Sequence, residues 1–234
     1  MTNNIGVVVL VRYNSTRLYG KALLGINGKP SLKYLIERLE TLFNKNQLII
    51  ATSKENHDDP IENFSMLNNI KCYRGSLNNV SERFKDAAKI LKKKYIVRIT
   101  GDSIFLDMNL LKEIISQIDE KHLLFSNRIS KTYPVGQTID IVDLEKYIKY
   151  FQLFSTKSDF EHVTSYFFEN KSNFLIKNIS NKLGVFRSVS LGLDDIEDYK
   201  NANSFMKNFK NYSTSTSFVE IYNYYFKLKN IDHE

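Results

Sequence analysis

Along the first 130 or so positions the apolar residues switch repeatedly between two spacings. Residues 5–11 form an uninterrupted apolar run rich in valine, as expected of a strand buried on both faces. Leu32, Leu35, Ile36, Leu39, Leu42 and Phe43 then recur at helical spacing. A second strand is predicted at 47–52. Asp59 followed by Pro60 predicts an N-cap and a first helical position, opening a helix to residue 68. Residues 71–73 read as a short strand. Val80, Phe84, Ala87, Ala88 and Leu91 mark another helix, and 95–100 another strand ending in Gly101-Asp102. Leu110, Leu111, Ile114, Ile115 and Ile118 mark a helix capped by Asp107, and 123–126 is a further strand.

Strands separated by helical patterns predict βαβ units, hence an α/β protein with a mainly parallel sheet and helices on both faces. The second half is less regular. Residues 130–143 read as a loop plus a short strand, 144–154 and 160–169 as helices, and 174–179 as extended. A late strand is predicted at 186–193, and two helices at about 195–208 and 217–228. With no internal repeat and no low-complexity linker, 1–234 is expected to be one domain, with 130–180 a small irregular lobe.

Composition adds boundaries. The 42% apolar and 25% charged content is that of a globular chain able to bury a core, which excludes a largely disordered one. No apolar run approaches the roughly 20 residues of a membrane-spanning helix, so no membrane partner is expected. Met1-Thr2-Asn3-Asn4 carries no positive side chain ahead of the first apolar run, which argues against a secretory leader. The single cysteine, Cys72, argues for a reducing compartment; the expected location is the cytoplasm. The net charge of +7 is spread along the chain, and its densest cluster, Lys92-Lys93-Lys94, falls at a helix end, where the dipole favours cations. Without an interleaved aromatic–basic motif, nucleic acid is not the expected partner.

Ligands of parallel sheets bind beyond the carboxyl ends of the strands, which directs attention to 12–21, 53–59, 74–83 and 101–103. The first segment, Arg12-Tyr13-Asn14-Ser15-Thr16-Arg17-Leu18-Tyr19-Gly20-Lys21, has the hydroxyls and cations to wrap a polyphosphate, and equally the polarity of a solvated loop. It has neither the Walker spacing nor G-x-G-x-x-G. Asp102, at a strand end, is placed either to hold Mg²⁺ against phosphates or to make a simple turn. In the cluster 194–198 one carboxylate could complete a metal site, while Asp195 could cap the helix that follows. His57, His122, His162 and His233 show no zinc-ligand spacing with Cys72, and there is no G-x-S-x-G elbow.

Taken in order, seven segments resemble one family. They are 11–23; Ile50-Ala51-Thr52-Ser53 with Asp58-Asp59-Pro60-Ile61; Tyr73-Arg74-Gly75-Ser76 with Val80 and Arg83; Val97-Arg98-Ile99-Thr100-Gly101-Asp102; Tyr133-Pro134 with Gly136; Glu161-His162-Val163-Thr164 with Tyr166; and Leu193-Asp194 with Glu197-Asp198. Their order and spacing, over roughly residues 5–200, are similar to the cytidylyltransferases of the spore-coat polysaccharide protein F type, relatives of the CMP-sialic acid and CMP-Kdo synthetases.

The resemblance implies a nucleotide-diphospho-sugar transferase fold, Rossmann-like, and a reaction in which a sugar hydroxyl attacks the α-phosphate of CTP with Mg²⁺ and releases pyrophosphate. It implies that Arg12 and Lys21 neutralise the triphosphate, that Ser15 and Arg17 shape the loop, and that Ser53, Arg74 and Arg83 lie along the nucleotide and acceptor cleft. Asp102 and Asp194 would hold the metal, and Glu161 and His162 would sit in an acceptor lobe that also builds a homodimer. Asn14 stands where these proteins usually carry Gly, which predicts a left-handed backbone there. Ser190 and Gly192 replace the usual Arg and Thr, and motivate a second class of function, a non-catalytic relative that binds nucleotide or a partner in a glycan pathway.

Overall fold

The computed structural model describes residues 2–186 and 188–231, so the expectation about His233 lies outside the described residues. Seven strands form the main sheet in the order β5-β4-β1-β6-β8-β7-β9: β1 (Ile5–Leu10), β4 (Leu48–Ser53), β5 (Lys71–Gly75), β6 (Tyr95–Thr100), β7 (Leu124–Ser126), β8 (Asp140–Asp143) and β9 (Ile176–Asn178). A separate two-strand hairpin pairs β2 (Gly25–Ile26) with β3 (Lys29–Pro30). Only β8 runs against its sheet neighbours, pairing antiparallel with both β6 and β7.

β1 is buried along its whole length, as its unbroken apolar run predicts. Its alternating side chains feed two cores. Val7 and Val9 pack with Leu35 and Ile36 of α1 (Ser31–Leu39), Ile61 of α2 (Asp59–Leu67) and Leu111 of α4 (Met108–Ser116). Val8 and Leu10 face the other side, with Phe84 and Ala87 of α3 (Val80–Leu91) and Tyr147 of α5 (Leu144–Phe151). Helices therefore cover both faces. Two paths leave β1 in opposite directions across the sheet, toward β4 and toward β6, and the reversal opens a crevice between the ends of β1 and β6.

A third core joins the hairpin to the end of the chain. Ile26, Tyr34 and Phe105 pack against Phe205 of α8 (Ile196–Asn208) and Ile221 and Tyr225 of α9 (Phe218–Ile231). Asp107 caps α4 by accepting the Asn109 and Leu110 amides, and its second oxygen accepts the Phe218 amide at 2.9 Å, tying α9 to the same helix start.

Four local expectations are corrected. α2 starts at Asp59, one residue earlier than expected, so its N-cap is Asp58, whose carboxylate caps no helix amide and turns inward to Tyr13 and Ser53. The single helix expected over 160–169 is two short ones, α6 (Lys157–Glu161) and α7 (Ser165–Glu169), with a break at 162–164. The described part of 186–193 forms no strand, although Val189, Leu191 and Leu193 are buried as the alternation required. Its amides bond to separate places instead, Leu191 to the Val135 carbonyl and Leu193 to the Asp102 carbonyl, both at 2.9 Å. Asn14 does not have a positive φ; in this loop it is Gly20 that adopts one, at 67°.

Candidate active site

The loop after β1 is held at its root and closed on itself. Asp58, fully buried, accepts the Tyr13 amide at 2.7 Å, the Ser53 amide at 3.0 Å and the Ser53 hydroxyl. Burial opposes its charge, but these hydrogen bonds outweigh the desolvation and keep the carboxyl below its ordinary range. The Tyr13 carbonyl accepts the Gly20 amide at 2.9 Å, and the Tyr13 and Tyr19 rings meet edge to face at 5.3 Å. The left-handed turn at Gly20 brings Lys21 back beneath the loop, where Ser31 donates its hydroxyl to the Lys21 carbonyl at 2.5 Å.

Lys21 is the centre of a charged cluster. Its Nζ lies 3.0 Å from Asp194 Oδ1 and 3.5 Å from Asp102 Oδ2, and Arg17 also pairs with Asp194. Asp102 comes from the end of β6. Asp194 arrives from the far end of the chain, delivered by two devices. The Leu193 amide is tied to the Asp102 carbonyl, and the Asp194 amide donates to Asp198 Oδ2 at 2.9 Å. Asp195 caps α8 by accepting the Glu197 and Asp198 amides, the helix-cap role weighed for it from sequence.

These groups line a cavity of about 410 Å³, within the usual range for a small-molecule site, at the crevice between β1 and β6. Arg12, Ser15, Arg17, Lys21, Arg83, Asp102, Asp194, Glu161 and His162 all contribute to its wall. A second cavity of about 680 Å³ adjoins it, sharing Arg12, Leu77, Val80 and Glu161. Arg83 is buried and donates to the Ser76 carbonyl at 2.5 Å. Burial, reinforced by the like charge of Arg12, pushes its guanidinium down to about 10, a site short of negative charge.

Ser53 and Arg74 do not line this cavity. Ser53 is buried against Asp58, and Arg74 donates to the Ser53 carbonyl at 3.0 Å and the Glu55 carbonyl at 2.8 Å while pairing with Asp59 and Glu62. Both brace the end of β4, because the carboxylates of the 55–62 segment and the carbonyls of the turn claim their polar groups first. Conversely, Asp58, His57 and Arg98 belong to the site or its support, and carried no role in the sequence reading. For Arg98 the available signal was a charged residue where the strand pattern demands burial.

Among the described residues there is no cluster of three or more side chains able to hold a metal. Asp102 and Asp194 share the Lys21 ammonium as a partner, and their carboxylates are hard oxygen donors of the kind that hold Mg²⁺ together with substrate phosphates. The donor set therefore fits that ion.

Comparison with known proteins gives the family. Residues 6–231 match the cytidylyltransferase family model, and the chain belongs to that family. It is 30% identical over 173 residues to the spore coat polysaccharide biosynthesis protein SpsF of Bacillus subtilis, covering 70% of each chain. A cytidylyltransferase structure from Leptospira borgpetersenii superposes with a TM-score of 0.89 at 28% identity, covering 97% of this chain and 96% of that one. The CTP complex of CMP-2-keto-3-deoxy-manno-octonic acid synthetase shares the fold, with a TM-score of 0.62 at 16% identity over 88% of this chain and all of that one. The chain is thus a cytidylyltransferase, an enzyme that transfers a cytidylyl group. No helix among the described residues is long and apolar enough to cross a membrane.

Proposed function

We propose that this protein couples CTP to a hydroxyl of a sugar or sugar acid, releasing pyrophosphate, in the cytoplasmic synthesis of a surface polysaccharide. The observation that carries the reading is the placement of Lys21 between Asp102 and Asp194 in the wall of a cavity that also holds Arg12 and Arg83. Nucleotidyl transfer needs in-line positioning and neutralised charge more than covalent help from the protein. In this reading Arg12, Arg17 and Lys21 take the charge of the triphosphate, Ser15 and the loop backbone hold its oxygens, and Arg83 fixes the 76–77 turn, whose Leu77 lines both cavities. Asp102 and Asp194 would hold Mg²⁺, which would supply positive charge against the triphosphate. Glu161 and His162, both exposed at the rim, face the acceptor. Ser53 and Arg74 support the nucleotide cleft from behind. The lobe at 130–180 supplies the homodimer contact.

The test is pyrophosphate release from CTP with Mg²⁺ and a panel of neutral and acidic sugars. A CMP-sugar product with at least one panel member, lost in Asp102→Ala, is expected. Near-normal CTP turnover in Asp102→Ala, or turnover of ATP in preference to CTP, overturns the reading.

A further inference from the structure

α2 ends in an apolar tip. Ile61, Phe64 and Ser65 turn one side of the helix into the core, whereas the next two residues, Met66 and Leu67, are 64% and 85% exposed. Single exposed apolar side chains are ordinary on a protein surface. Among the described residues, however, no other two exposed large apolar side chains are consecutive. The turn behind them is well fixed. Asn69 takes a left-handed φ of 54°, its amide donates to the Met66 carbonyl at 3.0 Å, and the amide of buried Ile70 donates to the Ser65 carbonyl at 3.0 Å.

Cations gather around this tip from separate segments. Lys33 of α1 donates to Asn68 Oδ1 at 2.7 Å, and Lys45 of the turn Lys45–Gln47 donates to the Asn68 carbonyl at 2.8 Å. Two ammonium groups thus converge on the residue next to Leu67. Lys71 is exposed at the first position of β5. α2 carries no basic residue in its own last turn, so the fold brings all of this charge to it. The nearby acids are committed: Glu40 lies 3.6 Å from Lys45, Glu37 pairs with Lys29, and Glu62 pairs with Arg74. The tip also lies away from the cavity. β5 runs parallel to β4, so Lys71 marks the end of the sheet opposite the crevice.

We infer that the 66–71 tip is a peripheral docking site for an anionic lipid bilayer, with Met66 and Leu67 entering the headgroup layer and Lys33, Lys45 and Lys71 facing the lipid phosphates. Apolar side chains ringed by lysine give both parts of such a contact, burial and charge attraction. Lysine is a hydrated point charge suited to a diffuse anionic surface, and it is depleted at protein–protein interfaces. Single-stranded nucleic acid would call for a stacking aromatic, and residues 66–71 contain none. The expectation of no membrane partner rested on the lack of a spanning segment, which a peripheral contact does not need. Two side chains and three lysines make the contact reversible, and it leaves the cavity open to solutes.

The chain has no tryptophan, so Leu67→Trp places a single reporter at the tip. Its emission is expected to shift to the blue on mixing with vesicles of phosphatidylcholine and phosphatidylglycerol in a two-to-one ratio, and not with phosphatidylcholine alone. Added salt should reverse the shift. In vesicle co-sedimentation of the full chain, the double variant Met66→Ser, Leu67→Ser should partition about 10- to 100-fold more weakly than wild type. Lys45→Gln and Lys71→Gln should each weaken it about fivefold. All four substituted side chains are at the surface, and thermal midpoints near wild type confirm that the fold is kept. No blue shift, equal partition onto neutral vesicles, or partition unchanged in the serine and glutamine variants would overturn the inference. So would retention on DNA, or self-association of the wild-type chain, that the same variants abolish, since either gives the tip a different occupant.

Discussion

The Lys21 ammonium meets the Asp194 carboxylate at 3.0 Å across 173 positions of chain. Lys21 also lies 3.5 Å from Asp102, so a single cation spans two of the acids that line the cavity. A cation so placed can shift its contacts to phosphate oxygens as charge develops there. Lys21→Ala is expected to lower kcat by about 10²–10³, the usual loss for one charge-stabilising donor, with little change in thermal midpoint. Steady-state kinetics with CTP at saturation checks this, and a change confined to KM would contradict the assignment.

The two carboxylates are expected to differ in their consequences. Asp102→Asn keeps the shape of the strand end but removes a charged oxygen donor, so activity should fall below detection at any Mg²⁺ concentration. Asp194→Asn also releases Arg17 and Lys21 from their shared partner. It should leave measurable turnover with a Mg²⁺ requirement shifted to higher concentration. Chelation of the wild-type enzyme should abolish turnover, and added Mg²⁺ should restore it. Activity that survives chelation would remove the metal from the scheme.

Asp58 holds three donors of two different segments. Asp58→Ala strands the buried Ser53 amide, worth about 1–3 kcal/mol when left unpaired, and the half-buried Tyr13 amide, and urea unfolding should show a loss of that order. Because the folded carboxyl ionises below the ordinary 3.8, its contribution is present above that value and is lost as pH falls through the lower folded value. The stability gap between wild type and Asp58→Ala should therefore be flat from neutrality to about pH 5 and close only in stronger acid. A gap that closes near pH 6 would point to a different titrating group.

Gly136 has a φ of 89°, and a Cβ there would stand 2.5 Å from the Gly192 amide nitrogen. Gly136→Ala should cost about 1–3 kcal/mol from backbone strain alone, with the collision added to it. The loss should appear as a lowered thermal midpoint together with lowered turnover, since the displaced segment carries Asp194. Gly192→Ala, whose added carbon would meet only Val135 and Gly136 at 3.4 Å or more, should be close to neutral.

Much of the architecture was legible because it was written in local pattern. The valines of β1 announced burial on both faces, and Leu35, Ile36, Phe84 and Leu111 announced helices that cover them. The resemblance brought together Arg12, Lys21, Asp102 and Asp194, residues the fold does gather into one cavity wall. What stayed hidden depends on contacts between distant segments. Ser53 and Arg74 stand at strand ends, where ligands bind, yet carboxylates and carbonyls of residues 53–62 occupy them. Asp58 looked like the companion of a helix start and is the anchor of a loop 45 positions away. Arg98 sat inside an apolar strand pattern, and only the arrival of β8 beside β6 reveals what it faces. The 186–193 segment alternated like a strand because alternate side chains are buried, although its amides are claimed by Val135 and Asp102 rather than by a sheet neighbour.

The Leu193–Asp102 backbone link fixes the spacing of the acidic pair by main chain rather than by side chain. Sequence drift in the surrounding residues, including the Ser190 and Gly192 exchanges, can then proceed without retuning the distance on which the chemistry depends. The second half of the chain is in this sense free to change what it recognises while the acid pair proposed as the reacting centre keeps its dimensions.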